Sequence, residues 1–79
     1  MRKGKNIVGG RVAAARKRAR LTQLDLSRRL RALGARMDRA AVAKVENGLR
    51  GVLDYELLAL SKALDVSVTW LLGAGKRKG

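Results

Sequence analysis

The stretch Asp38-Arg-Ala-Ala-Val-Ala-Lys-Val-Glu-Asn-Gly48 predicts a short helix, and the rest of the chain is best understood around it. Asp38 is its N-cap, because a carboxylate can accept the unsatisfied amide protons of a first helical turn. Val42 and Val45 lie three residues apart, so they share one helix face and are expected in the core. Asn47-Gly48 ends the helix, since both residue types tolerate the left-handed backbone conformation.

The other face of this helix is small and basic. It carries Arg39, Ala40, Ala43 and Lys44. A helix with an apolar back and a thin cationic front suits the major groove of DNA, which is about 12 Å wide and admits one helix. On the residues alone, Arg39 and Lys44 could equally be ordinary solvated charges on an exposed helix face.

The composition points to a polyanionic partner. The chain has 79 residues, enough for one small domain, with 19 Lys and Arg against six Asp and Glu and a formal charge of +13. Such an excess favours nucleic acid or an anionic membrane surface. Because 47% of the residues are hydrophobic, a purely disordered basic tail is excluded.

Several functions are disfavoured by what the sequence lacks. It has no Cys and no His, which excludes disulfides, thiol chemistry and the usual zinc sites. We expect no metal, cofactor or small-molecule substrate, and no enzyme, because the six acids are scattered rather than clustered. No apolar run can span a bilayer and no signal peptide is apparent, so a cytoplasmic, nucleoid-associated protein without membrane contact is expected.

Four further helices are predicted from caps, breakers and apolar spacing. Their predicted ranges are Gly9 to Arg20, residues 23–33, residues 55–64 and Val68 to about Leu72. Thr22, Asp54 and Ser67 are the predicted caps of the last three, with Asp25 completing a capping box after Thr22. Leu57, Leu58, Leu60, Ala63 and Leu64 are the predicted apolar face of the fourth helix.

With no strand pattern, the fold class is all-α, a compact five-helix domain. Residues 1–7 are expected to form a flexible basic arm, residues 8–72 the folded domain, and residues 73–79 a disordered basic tail.

Three segments in this order resemble the XRE, or Cro/CI, family of lambda-repressor-like helix-turn-helix regulators. They are Thr22-Gln23, Val45-Glu-Asn-Gly48 and Asp54-Tyr-Glu-Leu-Leu-Ala-Leu-Ser-Lys-Ala-Leu-Asp-Val-Ser67. The resemblance implies base contacts from the outer face of the third helix, at Arg39, Ala40, Ala43 and Lys44. It also implies phosphate contacts from Thr22, Gln23, Asn47 and Arg50, and an internal ion pair between Arg16 and Glu46. The connection before the third helix is about five residues longer than the commonest family spacing. The extra residues would either extend the second helix or bring Arg36 toward the DNA backbone, where it is expected to be a further phosphate contact.

The function implied is a sequence-specific regulator of transcription. We expect a repressor that binds double-stranded DNA as a homodimer on a pseudo-palindromic operator. Two alternatives stay open: a protein-interaction module with a protein partner, such as an antitoxin or antiactivator, and a non-specific nucleic-acid binder. For Trp70, the single tryptophan, an apolar plug at the core edge and a dimer contact are equally favoured.

Overall fold

The computed structural model describes residues 7–74 of the chain. This part contains five α-helices and no strand, which confirms the predicted all-α class. The helices are α1 Ile7–Arg18, α2 Gln23–Ala32, α3 Arg39–Glu46, α4 Asp54–Leu64 and α5 Val68–Leu71. The predicted arm and tail lie outside the described residues, except for Ile7, which opens α1, and Gly73 and Ala74, whose amides bond back to α5.

The helices end in a common way, with one residue in the left-handed conformation. Gly34, Gly48 and Gly73 have this conformation after α2, α3 and α5, and Arg20 and Asp65 have it after α1 and α4. In α1 the amide of Leu21 then bonds to the carbonyl of Arg16, and the amide of Arg20 to that of Lys17. This motif explains why α1 ends at Arg18 and not at the predicted Arg20.

The core lies where α1, α2 and α4 surround the back of α3 and the inner side of α5. Its largest buried apolar side chains are Val12, Leu26, Leu30, Val42, Val45, Leu60 and Leu71. Helix α3 packs on α1 and α2, while α4 packs on α2, α1 and α5. The back of α3 is therefore inside the domain and its front is left outside.

A glycine allows α1 to approach α3 closely. A Cβ added at Gly9 would lie 2.1 Å from the carbonyl oxygen of Val45, far inside van der Waals contact. Gly10, its neighbour, has open space around it. The sequence predicts a helix from Gly9 but does not indicate that this glycine contacts α3.

Two predictions for α4 need correction, and the turn before α3 contributes two residues to the core that the sequence did not indicate. Asp54 is the first residue of α4 and not its cap; the cap position is Leu53, whose amide donates to the Glu56 side chain at 2.9 Å. Leu58, predicted on the apolar face of α4, is 50% exposed because it lies on the outer side with Tyr55. Ala35 and Met37, taken as plain turn residues, are buried in the core.

Candidate DNA-binding surface

The position of helix α3 in the domain is set by its two caps and by its buried apolar face. Asp38 Oδ1 accepts from the amide of Ala41 at 2.8 Å, and Asn47 and Gly48 end the helix as predicted. Val42 and Val45 are buried, each 1% exposed. Their burial fixes the rotation of the helix, so the residues between them must face outward.

The outward face is the one that the sequence predicted to touch bases. Arg39, Ala40 and Lys44 are exposed, and Ala43 is partly exposed beside them. The side chains of Arg39 and Lys44 form no hydrogen bond or ion pair within residues 7–74. Both cations are thus available to an external ligand.

Glu46, at the end of α3, faces inward to two partners. Arg16 Nε donates to Glu46 Oε2 at 2.6 Å and Arg16 Nη2 to Glu46 Oε1 at 3.0 Å, a two-point ion pair. Gln23 Nε2 donates to the same Oε1 at 3.1 Å. The hydrogen bonds to Glu46 raise the pKa of Arg16. This arrangement neutralises the only carboxylate of α3 and connects α1, the start of α2 and the end of α3.

The start of α2 combines features that favour and disfavour an anion. Gln23 is the first helical residue, and first-turn amides point outward at a positive helix end. Thr22 Oγ1 accepts from the amide of Asp25 at 3.0 Å. However, the Asp25 carboxylate lies at the same helix end, and its pKa is lowered by hydrogen bonds from the Thr22 amide and hydroxyl. Gln23 and Thr22 must therefore act beside a negative charge.

Arg36 and Arg50, both predicted to contact phosphate, have different surroundings. Arg36 is exposed, with no hydrogen bond or ion pair from its side chain within residues 7–74. Arg50 donates from Nη1 and Nη2 to the two carboxylate oxygens of Glu56 at 3.0 and 2.9 Å, and from Nη1 to the carbonyl of Gly51. The predicted phosphate contact Arg50 is thus engaged inside the domain by Glu56, the buried third residue of α4.

Asn47 and Trp70 have structural contacts in this domain. Asn47 is exposed, and as the C-cap of α3 its amide donates to the carbonyl of Ala43. Trp70 packs partly against the core, and the Arg11 guanidinium lies 4.8 Å from its ring centroid while donating to its carbonyl. The indole of Trp70 therefore packs against the core edge and also forms the cation–π contact with Arg11. A dimer contact would have to involve the part of the side chain that remains exposed.

The sequence analysis missed two exposed arginines on α2, Arg28 and Arg31. They lie three residues apart, on the side of α2 that faces the start of α3. With Arg39 they line one surface depression, and Arg31 also lines a second one with Arg36. The i, i+3 spacing of the two arginines was visible in the sequence, but nothing there showed which side of α2 would face α3.

Helix α3 has a buried apolar face and a basic outer face, and it follows the capped helix α2. This arrangement is that of a helix-turn-helix domain. A family model described as helix-turn-helix matches residues 12–71 of this chain. The chain belongs to the XRE-type helix-turn-helix family, a family of DNA-binding transcription regulators. This confirms the family and the lambda-repressor-like fold that the sequence predicted.

A solved structure with the same fold is the P22 c2 repressor protein in complex with synthetic operator 9T in the presence of Tl⁺. It is 31% identical to this chain, with a TM-score of 0.74 over 86% of this chain and 96% of that one. A search among curated proteins gives no match. Among the described residues, no helix is long and apolar enough to cross a membrane, and no cluster of His, Cys, Asp or Glu could hold a metal ion.

Proposed function

We propose that this protein is a sequence-specific repressor of transcription that inserts α3 into the major groove of double-stranded DNA. The observation that carries the proposal is the outer face of α3, where Arg39 and Lys44 are exposed and free of internal partners. The family, and the likeness to a repressor solved on operator DNA, support the same docking.

Arg39 is the residue that best fits direct readout. It is the first residue of α3, and in helix-turn-helix docking the N-terminal residues of the second helix contact base edges. Its guanidinium can donate to both O6 and N7 of guanine. Ala40 and Ala43 offer no hydrogen bond, but a methyl group can contact the methyl of thymine. With so few polar contacts, DNA shape is expected to contribute to specificity.

Phosphate contacts are expected on both sides of α3. Arg36 before the helix, Asn47 after it, and Thr22 with Gln23 at the start of α2 are the proposed groups. Gln23 and Arg50 already bind the internal carboxylates Glu46 and Glu56, so each would contact phosphate through its remaining N–H donors.

The active form is proposed to be a homodimer on a pseudo-palindromic operator. Dimers of helix-turn-helix domains place their recognition helices about one DNA turn apart, roughly 34–36 Å. Two chains per duplex, with half-sites separated by about 10 base pairs, are therefore expected. Trp70 and the exposed leucines Leu49 and Leu72 are available for chain–chain contact.

The test begins with selection of duplexes from a pool of random sequence by the full chain. We expect an enriched, inverted-repeat sequence bound more tightly than scrambled DNA at the same salt concentration. Arg39→Ala should cost about 1–3 kcal/mol on that site and relax the preference at one base pair per half-site.

Arg36→Ala is the matched control, since it also removes one exposed, unpaired arginine next to α3. It should weaken selected and scrambled DNA about equally. If Arg39→Ala behaves in the same way as Arg36→Ala, Arg39 does not read bases. If selection enriches no sequence, the protein is the non-specific binder or the protein-interaction module considered above.

A further inference from the structure

The arginines of α2 divide into two groups by the direction of their side chains. Arg29 donates from Nη1 to the carbonyl of Ala63 at 3.1 Å and so faces α4. Arg28 and Arg31 face the opposite way, toward the start of α3. There they line a depression of about 280 Å³ together with Asp38, Arg39 and the apolar or small residues Leu24, Ser27 and Met37.

A second depression, of about 450 Å³, is lined by Arg31, Gly34 and Arg36. Arg31 belongs to both. The two depressions together form what we call the arginine cleft, defined by Arg28, Arg31, Arg36 and Arg39. The carboxylate inside it, Asp38, already accepts the amide of Ala41. Asp25 lies within electrostatic reach of Arg28, so part of the charge of Arg28 is offset.

The cleft is held in shape by the turn before α3. The amide of Met37 donates to the carbonyl of Ala35, which places Arg36 at the apex of a tight three-residue turn. Ala35 and Met37 on either side of it are buried, and the amide of Ala35 bonds back to Leu30. The backbone that presents Arg36 is therefore fixed before any ligand binds, which lowers the entropy lost on binding.

We propose that the arginine cleft binds the DNA backbone next to the base pair that Arg39 reads, with Arg31 as its central phosphate contact; this inference rests on the proposed DNA-binding function. In helix-turn-helix docking the first helix crosses the backbone while the start of the second meets the bases. The cleft joins these two elements, because its walls come from α2 and its end is the first residue of α3. Guanidinium groups suit this task, since they bind phosphate oxygens in a two-point geometry.

The test measures how binding to a scrambled duplex depends on salt, so it needs no knowledge of the operator. Arg31→Gln should make the slope of log K against log salt shallower by about 0.9 per bound chain, the loss of one phosphate contact. The slope should be shallower still in the Arg28→Gln/Arg31→Gln double variant than in Arg31→Gln alone. Base preference on the selected site should not change in either variant.

Lys62→Gln is the control. Like Arg31, Lys62 is an exposed cation in the last turn of its helix, but it lines neither depression. We expect the Lys62→Gln variant to keep a slope of log K against log salt within about 0.3 of the wild-type slope. A cation that does not contact a phosphate attracts DNA only at long range, and this attraction is screened within roughly 10 Å at 0.1 M salt. Equal effects of Arg31→Gln and Lys62→Gln, or no effect of Arg31→Gln, would overturn the proposal. If the cleft instead binds an acidic protein partner, Arg31→Gln should have no effect on the salt dependence of DNA binding.

The two proposals can fail separately. If the wild type selects a sequence and Arg39→Ala changes the preference, the proposed function stands whatever Arg31→Gln does. If the wild type shows no steep salt dependence on any duplex, the proposed function fails and the cleft has no DNA to bind.

Discussion

The two turns that flank α3 contain one arginine each, and the structure uses these arginines in opposite ways. In the turn before α3, residues 33–38, the anchors are apolar: Ala35 and Met37 are buried and Arg36 is left outside. In the loop after α3, residues 47–53, the anchor is polar: Arg50 binds the buried Glu56, which also accepts the amide of Leu53. The apolar residue Leu49 of this loop is exposed.

The difference shows that an arginine at a corner of α3 can have a structural role inside the domain. A turn that can bury side chains of its own is free to present its arginine to a ligand. A loop that must bury an acid from the next helix uses its arginine to neutralise that acid, because an unpaired buried charge is strongly unfavourable. The three predictions that follow test this contrast, starting with the largest expected effect.

Arg50→Ala should destabilise the fold by about 3–5 kcal/mol, since it leaves Glu56, 2% exposed, without its partner. Unfolding in urea, followed by the fluorescence of Trp70, the single tryptophan, measures the change. Arg36→Ala is the control and should change the free energy of unfolding by less than about 0.5 kcal/mol. Equal stability of the two variants would mean that the Arg50–Glu56 pair adds nothing to the fold.

Much of the fold was predictable because it follows from local chemistry. The caps Thr22, Asp38 and Ser67 and the stops at Gly34 and Gly48 act within a few residues of the helices they bound, so the sequence alone indicates them. The misplaced end of α1 is also local, but it depends on Arg20 adopting a left-handed conformation that glycine usually adopts. Nothing in the residue type indicated that.

The interface was predictable only in part, because the rest depends on which helices meet. The outward face of α3 follows from the spacing of Val42 and Val45. The pairing of Arg16 with Glu46 crosses 30 residues and was expected only from the resemblance. Its counterpart, Arg50 with Glu56, is only six residues apart, yet Glu56 was not singled out because its burial depends on the packing of α4.

The second prediction concerns the apolar anchor of the turn before α3. Met37→Ala should cost about 2–4 kcal/mol, because Met37 is 2% exposed and its removal leaves a cavity beneath the arginine cleft. Leu49→Ala, in the loop after α3, is matched in chemistry but 76% exposed, and should cost less than about 0.5 kcal/mol. The same urea titration measures both. A Met37→Ala variant as stable as Leu49→Ala would show that the longer turn is not anchored through this side chain.

The smallest predicted effect is a difference in the pH dependence of stability between the charged anchor, Arg50 with Glu56, and the apolar anchor, Met37. The hydrogen bonds from Arg50 lower the pKa of Glu56, while burial opposes them to a smaller extent. A carboxylate whose folded-state pKa is lowered contributes stability that is full above its unfolded pKa, about 4.3, and is lost as the pH falls through the folded value. In Arg50→Ala the partner is gone, so burial should raise the pKa of Glu56 instead.

The stability difference between the wild type and Arg50→Ala should therefore shrink as the pH is lowered from about 6 toward 3. The difference between the wild type and Met37→Ala should stay constant over the same range. Urea titrations of the three proteins across this range decide the matter: parallel curves for all three would mean that Glu56 titrates alike with and without Arg50, and that the loop after α3 is not held by charge.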